Sequence, residues 1–358
     1  MINIDDLIKH REINSIALKD IPLTYWNRID YQLEDRKSYS LEQIGKIENT
    51  GAVIKNITFD NIKFDNRLTL DKYLNKINEI FINSGYYIES TKNQSTVRIS
   101  YNAQIQNPHI IDYNLIKVKE NESLTIILDY NSIENINALR NSIFKIDVEE
   151  NANLELVFIQ RLGLDAENFS EIIIDQKAYS QVKEYFIDLG SFITGTSNKV
   201  YLEENAKSET YSLYLADKER KVDLEFSNFH KGRRSESIIE GRGIVKDKSK
   251  KVFRGNLKFE KGSSKSVGKE SEYAILLDKT VKASSIPTLK CDEDDVIGEH
   301  AASAGQIDKN KLFYLTSRGL SPKEAEKLII LSNFKPILEK IGDKILEKTI
   351  LEEIEKRV

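Results

Sequence analysis

The feature that most constrains the fold is a short pattern that recurs through the middle of the chain. Val118-Lys-Glu-Asn121 reappears as Val148-Glu-Glu-Asn151, and each copy is followed by an alternating apolar run. Successive copies start 26 to 30 positions apart, and four looser ones begin at Ile174, Leu202, Phe229 and Phe259. An apolar residue, a polar turn and a strand at this period are typical of stacked solenoid coils, which bury their inner faces against one another. A β-sandwich with evenly spaced turns is the alternative.

Helical patterns flank this β-rich middle. Before it, apolar residues share one helix face after Thr69, and Gly85 ends the pattern. After it, Ser321-Pro322-Lys-Glu324 has the form of a capping box with proline in the first turn, and an amphipathic stretch follows. We therefore predict an N-terminal helical region over 1–95, a β-solenoid core over 96–307 and a C-terminal helical region over 308–358. The apolar positions of the first helix are Leu70, Leu74, Ile77 and Phe81.

Composition excludes several classes of function. The chain has 53 Lys and Arg against 57 Asp and Glu, and its net charge of −4 offers no general attraction to nucleic acid or to anionic membranes. The first residues lack the basic and apolar parts of a secretion signal, and no apolar run is long enough to span a bilayer, so we expect a cytoplasmic protein. Cys291 is the only cysteine, which rules out an internal disulfide and a site built from several thiolates.

No catalytic motif stands out. Gly262 to Glu270 resembles a phosphate-binding P-loop, but five residues instead of four separate its glycines, and Glu270 replaces the magnesium-binding hydroxyl residue. We interpret it as a turn between strands. The acidic run Asp292–Asp295 is interpreted as a solvated turn. The histidines lack the spacing of a metal site, and such a histidine is more often structural than a ligand; the four are His10, His109, His230 and His300.

The segment from Pro287 to Asp308, followed by Leu312 to Leu320, resembles the C-terminal signature of the SufB/SufD family of iron–sulfur cluster assembly proteins. Its elements are Asp-Asp-Val296, a turn containing His300, Gly-Gln-Ile-Asp308, Phe-Tyr314 and Ser-Arg-Gly319. The short length, the lack of a cysteine-rich insertion and an early Pro22…Trp26 segment are similar to SufD rather than to the longer SufB. The resemblance implies a right-handed parallel β-helix between helical regions.

The resemblance also implies partners. Family members pair with a SufB-like scaffold, or with themselves, through β-helix edges, and a SufC-type ATPase docks on the helices that follow. The chain would then be a non-catalytic assembly subunit rather than an enzyme. The implied pairing site contains Gly298, Glu299 and His300, with His300 as a metal ligand. The implied ATPase-docking residues are Phe313, Tyr314, Arg318, Gly319, Leu320 and Leu328.

One departure from the family bears on cofactors. Many SufD sequences carry a cysteine two residues before the histidine, where this chain has Gly298. We therefore expect no cofactor bound by this chain alone, and iron or an iron–sulfur cluster only transiently at a subunit interface. Cys291 alternates with Leu289 and is expected to be a buried structural thiol. Two alternatives stay open: a β-solenoid protein that acts on polysaccharide or binds a ligand, and a self-sufficient SufB-like homodimeric scaffold.

Overall fold

A computed structural model describes residues 45–57, 62, 65–68, 70, 72–91, 94–133 and 136–358. These residues form two sheets that are parallel except at the N-terminal end, and most consecutive strands alternate between the two sheets. Sheet 1 contains, from one edge to the other, β1 (Lys46–Thr50), β4 (Ser95–Ala103), β6 (Ser123–Ser132), β8 (Asn153–Arg161), β10 (Gln181–Asp188), β12 (Lys207–Ala216), β14 (Glu236–Val245), β16 (Val267–Leu276) and β18 (Ile297–Gly305).

Sheet 2 holds the intervening strands. In order of position they are β2 (Ala52–Asn56), β3 (Tyr86–Ser90), β5 (His109–Val118), β7 (Leu139–Val148), β9 (Glu167–Gln176), β11 (Ile193–Leu202), β13 (Lys221–His230), β15 (Lys250–Phe259) and β17 (Lys282–Cys291). Because the chain returns to the same sheet after each pair of strands, the pairs from β5/β6 to β17/β18 form seven coils of a flattened β-solenoid. The predicted mainly-β solenoid is confirmed.

Alternate residues of each strand face the interior between the sheets, where they form one continuous apolar core. Aromatic rings stack from coil to coil inside it. Phe158 lies 4.9 Å from Phe186 between ring centroids, and Phe186 lies 5.0 Å from Phe226. Each coil thus covers the inner face of the next, as the repeat predicted.

The recurring asparagine marks the corners between strands. Asn121, Asn151 and Asn205 all adopt positive φ, between 54° and 60°, a conformation that asparagine tolerates better than most residues. The strand register aligns the last residues of successive sheet 2 strands, which are Val118, Val148, Gln176, Leu202, His230, Phe259 and Cys291. Two of the looser repeat copies are therefore corrected: the copy assigned to Ile174 begins two positions later, and the copy assigned to Phe229 begins one position later.

Helices cover the outer faces of the solenoid. The predicted N-terminal helix is present as α1 (Lys72–Phe81), and the Asn78 amide donates to main-chain oxygens of Asp112 and Asn141 on sheet 2. After the solenoid come α2 (Lys309–Ser317), α3 (Pro322–Ile341) and α4 (Lys344–Glu355). Ser321 and Glu324 form the predicted capping box, and Gly319 follows α2 with φ of +98°.

The last two helices bury an apolar face against the outer side of sheet 1. Phe334, Ile337 and Leu338 of α3 and Ile350 of α4 are fully buried there. They share one cluster with residues of β8, β10 and β12: Val157, Ile159, Tyr185, Ile187, Tyr211, Leu213 and Leu215. This contact fixes the C-terminal helices to the body of the protein.

The N-terminal region differs from its prediction. Strands β1, β2 and β3 lie within 1–95, so the sheets begin at Lys46 rather than near residue 96. All five residues of β1 are exposed. A strand with no buried face need not alternate apolar and polar residues, so its sequence gives no strand signal. His10, Pro22, Trp26 and Thr69 lie outside the described residues.

Candidate functional site

The two ends of the solenoid are built differently. At the N-terminal end, β1 pairs antiparallel with β4 and β2 pairs antiparallel with β3, so two antiparallel strands, one in each sheet, cover the edges of the layer formed by β3 and β4. At the C-terminal end, β17 and β18 pair only with β15 and β16, and within the described ranges no strand lies against their outer edges. We call this last coil, β17 and β18, the open coil. Its edges present main-chain groups ready to pair with another strand.

His300 lies in the open coil. It belongs to strand β18 rather than to a turn, which corrects the predicted local structure; its place in a subunit interface stays a prediction. The neighbouring Gly298 faces inward, because a Cβ there would lie 2.6 Å from Leu289 Cδ1 and 3.3 Å from Phe259 Cε2. His300, two residues on, shares that inner face and stays exposed because no further coil covers it. Glu299 faces outward and pairs with Lys269 at 3.1 Å.

Buried ionisable residues lie in the interior of the coil next to the open coil, on β15 and β16. Lys251 and Glu272 form an ion pair whose side chains have no exposed area, and Lys251 Nζ also donates to Ser285 Oγ at 3.1 Å. The Tyr214 hydroxyl donates to the same glutamate. Burial lowers the pKa of Lys251, and the adjacent Glu272 opposes that change. Because an unpaired buried charge is costly, this pair is expected to hold its geometry.

Glu270 precedes Glu272 by two residues on β16 and is also buried. Its side chain is 4% exposed, and burial together with the nearby charge of Glu272 raises the pKa of Glu270 to about 7. In the register of β16 and β18, Glu270 is the direct partner of His300. In the sequence, Glu270 stands out only because it replaces the magnesium-binding hydroxyl residue of a P-loop. Its inward position in the strand alternation was the signal that could have placed it here.

The P-loop-like segment has no phosphate-binding geometry. Gly262 lies in a corner between β15 and β16, and residues from Val267 onward form a strand rather than a helix. The interpretation as a turn between strands is confirmed. The acidic run Asp292–Asp295 is likewise a corner, in which Glu293 accepts a hydrogen bond from the Gly262 amide at 2.9 Å.

Cys291 contradicts its prediction. It is exposed, not buried, although it lies in register with the buried Phe259 and faces the same side. Leu289, its neighbour on that face, is also exposed. The sequence shows the alternation of inward residues, but it does not show that this coil is the last one and therefore uncovered.

Two of the other histidines are structural. His230 is buried, its ring nitrogens lie 2.7 Å from Ser235 Oγ and 2.8 Å from Ser237 Oγ, and its ring stacks on Phe259. Burial lowers the pKa of His230 to about 4. His109 is also buried. Among the described residues, no group of three or more His, Cys, Asp and Glu side chains is arranged to hold a metal ion.

A second exposed surface lies on the C-terminal helices. Phe313 and Tyr314 of α2 and Leu328 of α3 are 74%, 57% and 48% exposed. The Arg318 guanidinium lies 5.2 Å from the centroid of the Tyr314 ring. An apolar groove of about 490 Å³ runs between the two helices; its lining residues are Asn310, Lys311, Tyr314, Leu315, Leu328, Ile329 and Ser332. We call this surface the α2–α3 groove. Gly319 and Leu320 lie in the link between the helices.

The structural class is thus a capped, seven-coil β-solenoid with one open coil and helices after it. Residues 99–333, more than half of the chain, match the family described as SUF system FeS cluster assembly, SufBD core domain. The chain belongs to this family of iron–sulfur cluster assembly proteins.

Curated relatives agree with this assignment. The chain is 24% identical to the iron–sulfur cluster assembly protein SufD of Bacillus subtilis, over 87% of this chain and 71% of that protein. It is 25% identical to a SufBD family protein of Staphylococcus saprophyticus, over 76% of this chain and 59% of that protein. It is 26% identical to SufD of Plasmodium falciparum, over 70% of this chain but 17% of that much longer protein. None of the described helices is long and apolar enough to cross a membrane.

Proposed function

We propose that this chain is a SufD-like, non-catalytic subunit of a cytoplasmic iron–sulfur cluster assembly complex. It pairs through the open coil with a SufB-like scaffold or with a second copy of itself, and it docks a SufC-type ATPase at the α2–α3 groove. The observation that carries the proposal is the asymmetry of the solenoid: one end is capped by the antiparallel strands β1 and β2, and the other ends in two edge strands. Long uncovered edge strands favour pairing with another chain.

The α2–α3 groove supports the second part of the proposal. The groove is lined by exposed aromatic and aliphatic side chains. A few side chains of this kind often contribute most of the binding energy of a protein–protein contact. The groove adjoins helix α3, which is fixed to sheet 1 by its buried face. Movement of a bound ATPase would therefore be transmitted to the solenoid.

Iron or an iron–sulfur cluster is the cargo in this proposal, and it meets the chain at the open coil. The imidazole of His300 is accessible there and suits iron as a ligand. The chain supplies no thiolate at Gly298, so tight binding requires ligands from the partner subunit.

Substitutions in the groove test ATPase docking. Tyr314→Ala and Leu328→Ala should each weaken binding of a SufC-type ATPase at least tenfold, because hot-spot side chains at the centre of an interface contribute about 2 kcal/mol or more. The matched control is Ile345→Ala on α4, which removes an apolar side chain that is 82% exposed but lies outside the groove.

Binding is measured by calorimetry or surface plasmon resonance with the full-length variants. Native affinity in both groove variants would contradict the docking assignment. An equal loss in Ile345→Ala would show that the contact lies elsewhere on the C-terminal helices.

A further inference from the structure

The corners that lead from sheet 2 to sheet 1 align equivalent residues of successive coils. The main-chain N–H of Tyr179 donates to a carbonyl of the next corner at 2.9 Å, and those of Asn205 and Arg234 do the same at 2.9 and 3.0 Å. One hydrogen bond thus repeats from corner to corner, and it places these three residues in a line along the outside of the solenoid. We call Tyr179, Asn205 and Arg234 the corner row.

A second row runs beside the first, two residues further along the chain. Gln181, Lys207 and Glu236 are the first residues of β10, β12 and β14, and the parallel register places them directly opposite one another. All three are exposed. Together with the corner row they line a cleft of about 390 Å³. Sites for small molecules typically have volumes of about 300–1,000 Å³, so the cleft is large enough for a small ligand.

Tyr179 is an unusual residue for its place in the corner row. Its φ is +61°, in the left-handed region that bulky side chains disfavour. The equivalent corner residue is an asparagine in three other coils, at Asn121, Asn151 and Asn205, and asparagine tolerates this conformation well. The Tyr179 side chain is nevertheless 51% exposed, so little packing offsets the disfavoured conformation. An exposed ring held in this way at a cleft indicates a contact with a molecule outside the chain.

Arg234 gives the cleft a positive charge. Of the three charged lining residues, Lys207 and Glu236 pair with each other at 3.1 Å, which leaves the guanidinium of Arg234. A guanidinium presents parallel N–H donors that match a phosphate or carboxylate group. The side-chain amides of Gln181 and Asn205 add further N–H donors. The cleft therefore combines an exposed aromatic ring with donors suited to an anion.

The charges just outside the cleft leave this preference in place. The corner of Arg234 also carries Lys231 and Arg233, and the preceding corner carries Glu203 and Glu204. None of these four residues lines the cleft. The two corners thus hold three cations against two carboxylates, so the local field still favours an anion.

We propose that this cleft binds a small anion that carries a flat ring, the chemistry of a nucleoside monophosphate. The ring stacks on Tyr179, and the phosphate accepts hydrogen bonds from Arg234. The two anchors lie two coils apart, about 10 Å at the usual strand spacing, a span that a ring, a sugar and a phosphate cover together. None of the lining residues belongs to the open coil or to the α2–α3 groove, so the site does not depend on the proposed function.

Calorimetric titration of the purified full-length protein with adenosine monophosphate tests the cleft, with adenosine and inorganic phosphate as separate arms. We expect one nucleotide per chain, bound at least tenfold more tightly than adenosine or phosphate alone, because ring and anion are both recognised. Tyr179→Asn and Arg234→Gln should each weaken nucleotide binding by about tenfold or more. The matched control is Lys265→Gln, which removes a cation with the same positive φ from the next corner but does not line the cleft. It should bind as the native chain does.

A stability measurement separates a ligand contact from a structural role of the tyrosine. Tyr179→Asn should unfold at an equal or higher urea concentration than the native chain, because asparagine suits the left-handed conformation. A lower midpoint would show that packing within the protein holds Tyr179, and it would overturn the proposal. Nucleotide binding that neither substitution weakens would overturn it, as would an equal loss in Lys265→Gln or a failure of the native chain to saturate at millimolar nucleotide.

Discussion

At the residue scale, burial inside the solenoid strongly raises the pKa of certain carboxyl groups. Glu184 on β10 is fully buried, and its Oε2 accepts hydrogen bonds from Asn198 at 2.8 Å and from Thr210 at 3.0 Å. Burial raises the pKa of Glu184 to about 7, and the two hydrogen bonds only partly oppose this change. The protein should therefore hold a proton at Glu184 at pH values where the unfolded chain has lost it.

A pH dependence of stability follows. Between the ordinary carboxyl pKa of 4.5 and the folded value of about 7, the folded protein binds more protons at Glu184 than the unfolded chain, so rising pH removes stability. Across this range the native chain should lose up to about 3 kcal/mol of unfolding free energy relative to Glu184→Gln, since one pKa unit corresponds to about 1.4 kcal/mol. Urea unfolding of both proteins at pH 5, 6, 7 and 8 measures the difference. A gap that stays constant with pH would contradict it.

The effect of His230 has the opposite sign. Its pKa is lowered to about 4, so its contribution to stability is lost as the pH falls from 6.5 toward 4. Because His230 is present in both proteins, its contribution cancels in the comparison of Glu184→Gln with the native chain. The difference between the two proteins thus reports Glu184.

The absent family cysteine gives another residue-scale prediction. Gly298→Cys should raise the amount of iron or cluster that the assembled complex retains, because thiolate suits iron–sulfur chemistry better than a lone imidazole. The new Cβ would lie 2.6 Å from Leu289 Cδ1, so that side chain must move. Leu289→Ala/Gly298→Cys should therefore retain at least as much as the single variant, and Leu289→Ala alone should not gain. Iron per complex after purification is the measurement; no gain in either cysteine variant would contradict the prediction.

At this scale the spacing of residues predicted correctly that Gly262 to Glu270 contains a turn between strands rather than a P-loop. The family signature pointed to His300, whose role stays a prediction. Reasoning failed for Cys291, because burial depends on whether another coil follows, which is a property of the whole fold. It also missed Glu270, since only strand register reveals that this residue lies opposite His300.

At the scale of elements, α3 packs an apolar face against the body of the protein, whereas α2 exposes its aromatic side chains to solvent. Phe334 of α3 is fully buried against sheet 1, whereas Phe313 of α2 is 74% exposed. Phe334→Ala should lower the free energy of unfolding by about 3–5 kcal/mol, because it leaves a cavity. Phe313→Ala should change it by about 0.5 kcal/mol or less. Both free energies are measured by denaturant unfolding. Equal losses in the two variants would contradict the assignment of α3 as buried and α2 as exposed.

The packing of α3 and α4 on sheet 1 also determines how the docking surface can be tested. Removal of the chain after Asp308 would uncover the apolar outer face of sheet 1, including Tyr185 and Leu213. Loss of ATPase binding in such a truncated protein would then be difficult to separate from aggregation. Single substitutions in the α2–α3 groove avoid this problem.

Local patterns predicted most of the elements. The repeat predicted the coils, and the cap at Ser321 predicted the start of α3, because both signals lie within a few residues of sequence. Strands β1 and β2 could not be predicted in the same way. They are short and mostly exposed, and they belong to the sheets only through antiparallel pairing with β4 and β3, which are distant in sequence.

At the scale of the whole molecule, the solenoid is directional. The antiparallel strands β1 and β2 close its N-terminal end, helices cover the outer face of sheet 1, and the open coil ends the stack. Uncovered edges of this kind favour association with another chain unless they are blocked. The central claim of our proposal is that a partner subunit occupies the edge of the open coil.

The hydrogen-bond pattern of β18 shows how to block that edge alone. The Ile297 amide donates to Ser266 on the neighbouring coil, so odd-numbered residues of β18 bond toward β16 and even-numbered residues direct their N–H groups to the open side. Ala302→Pro removes one outward donor and leaves the bonds to β16 in place. Ala302→Ser keeps the donor and is the matched control.

The most direct test is the pairing affinity of these two variants. It is measured by analytical ultracentrifugation of the full-length chain, alone and mixed with a SufB-like scaffold, with thermal unfolding as the check on folding. We predict that Ala302→Ser pairs as the native chain does and that Ala302→Pro, equally folded, loses pairing by at least tenfold. Native pairing in folded Ala302→Pro would contradict the claim that a partner joins the edge of the open coil.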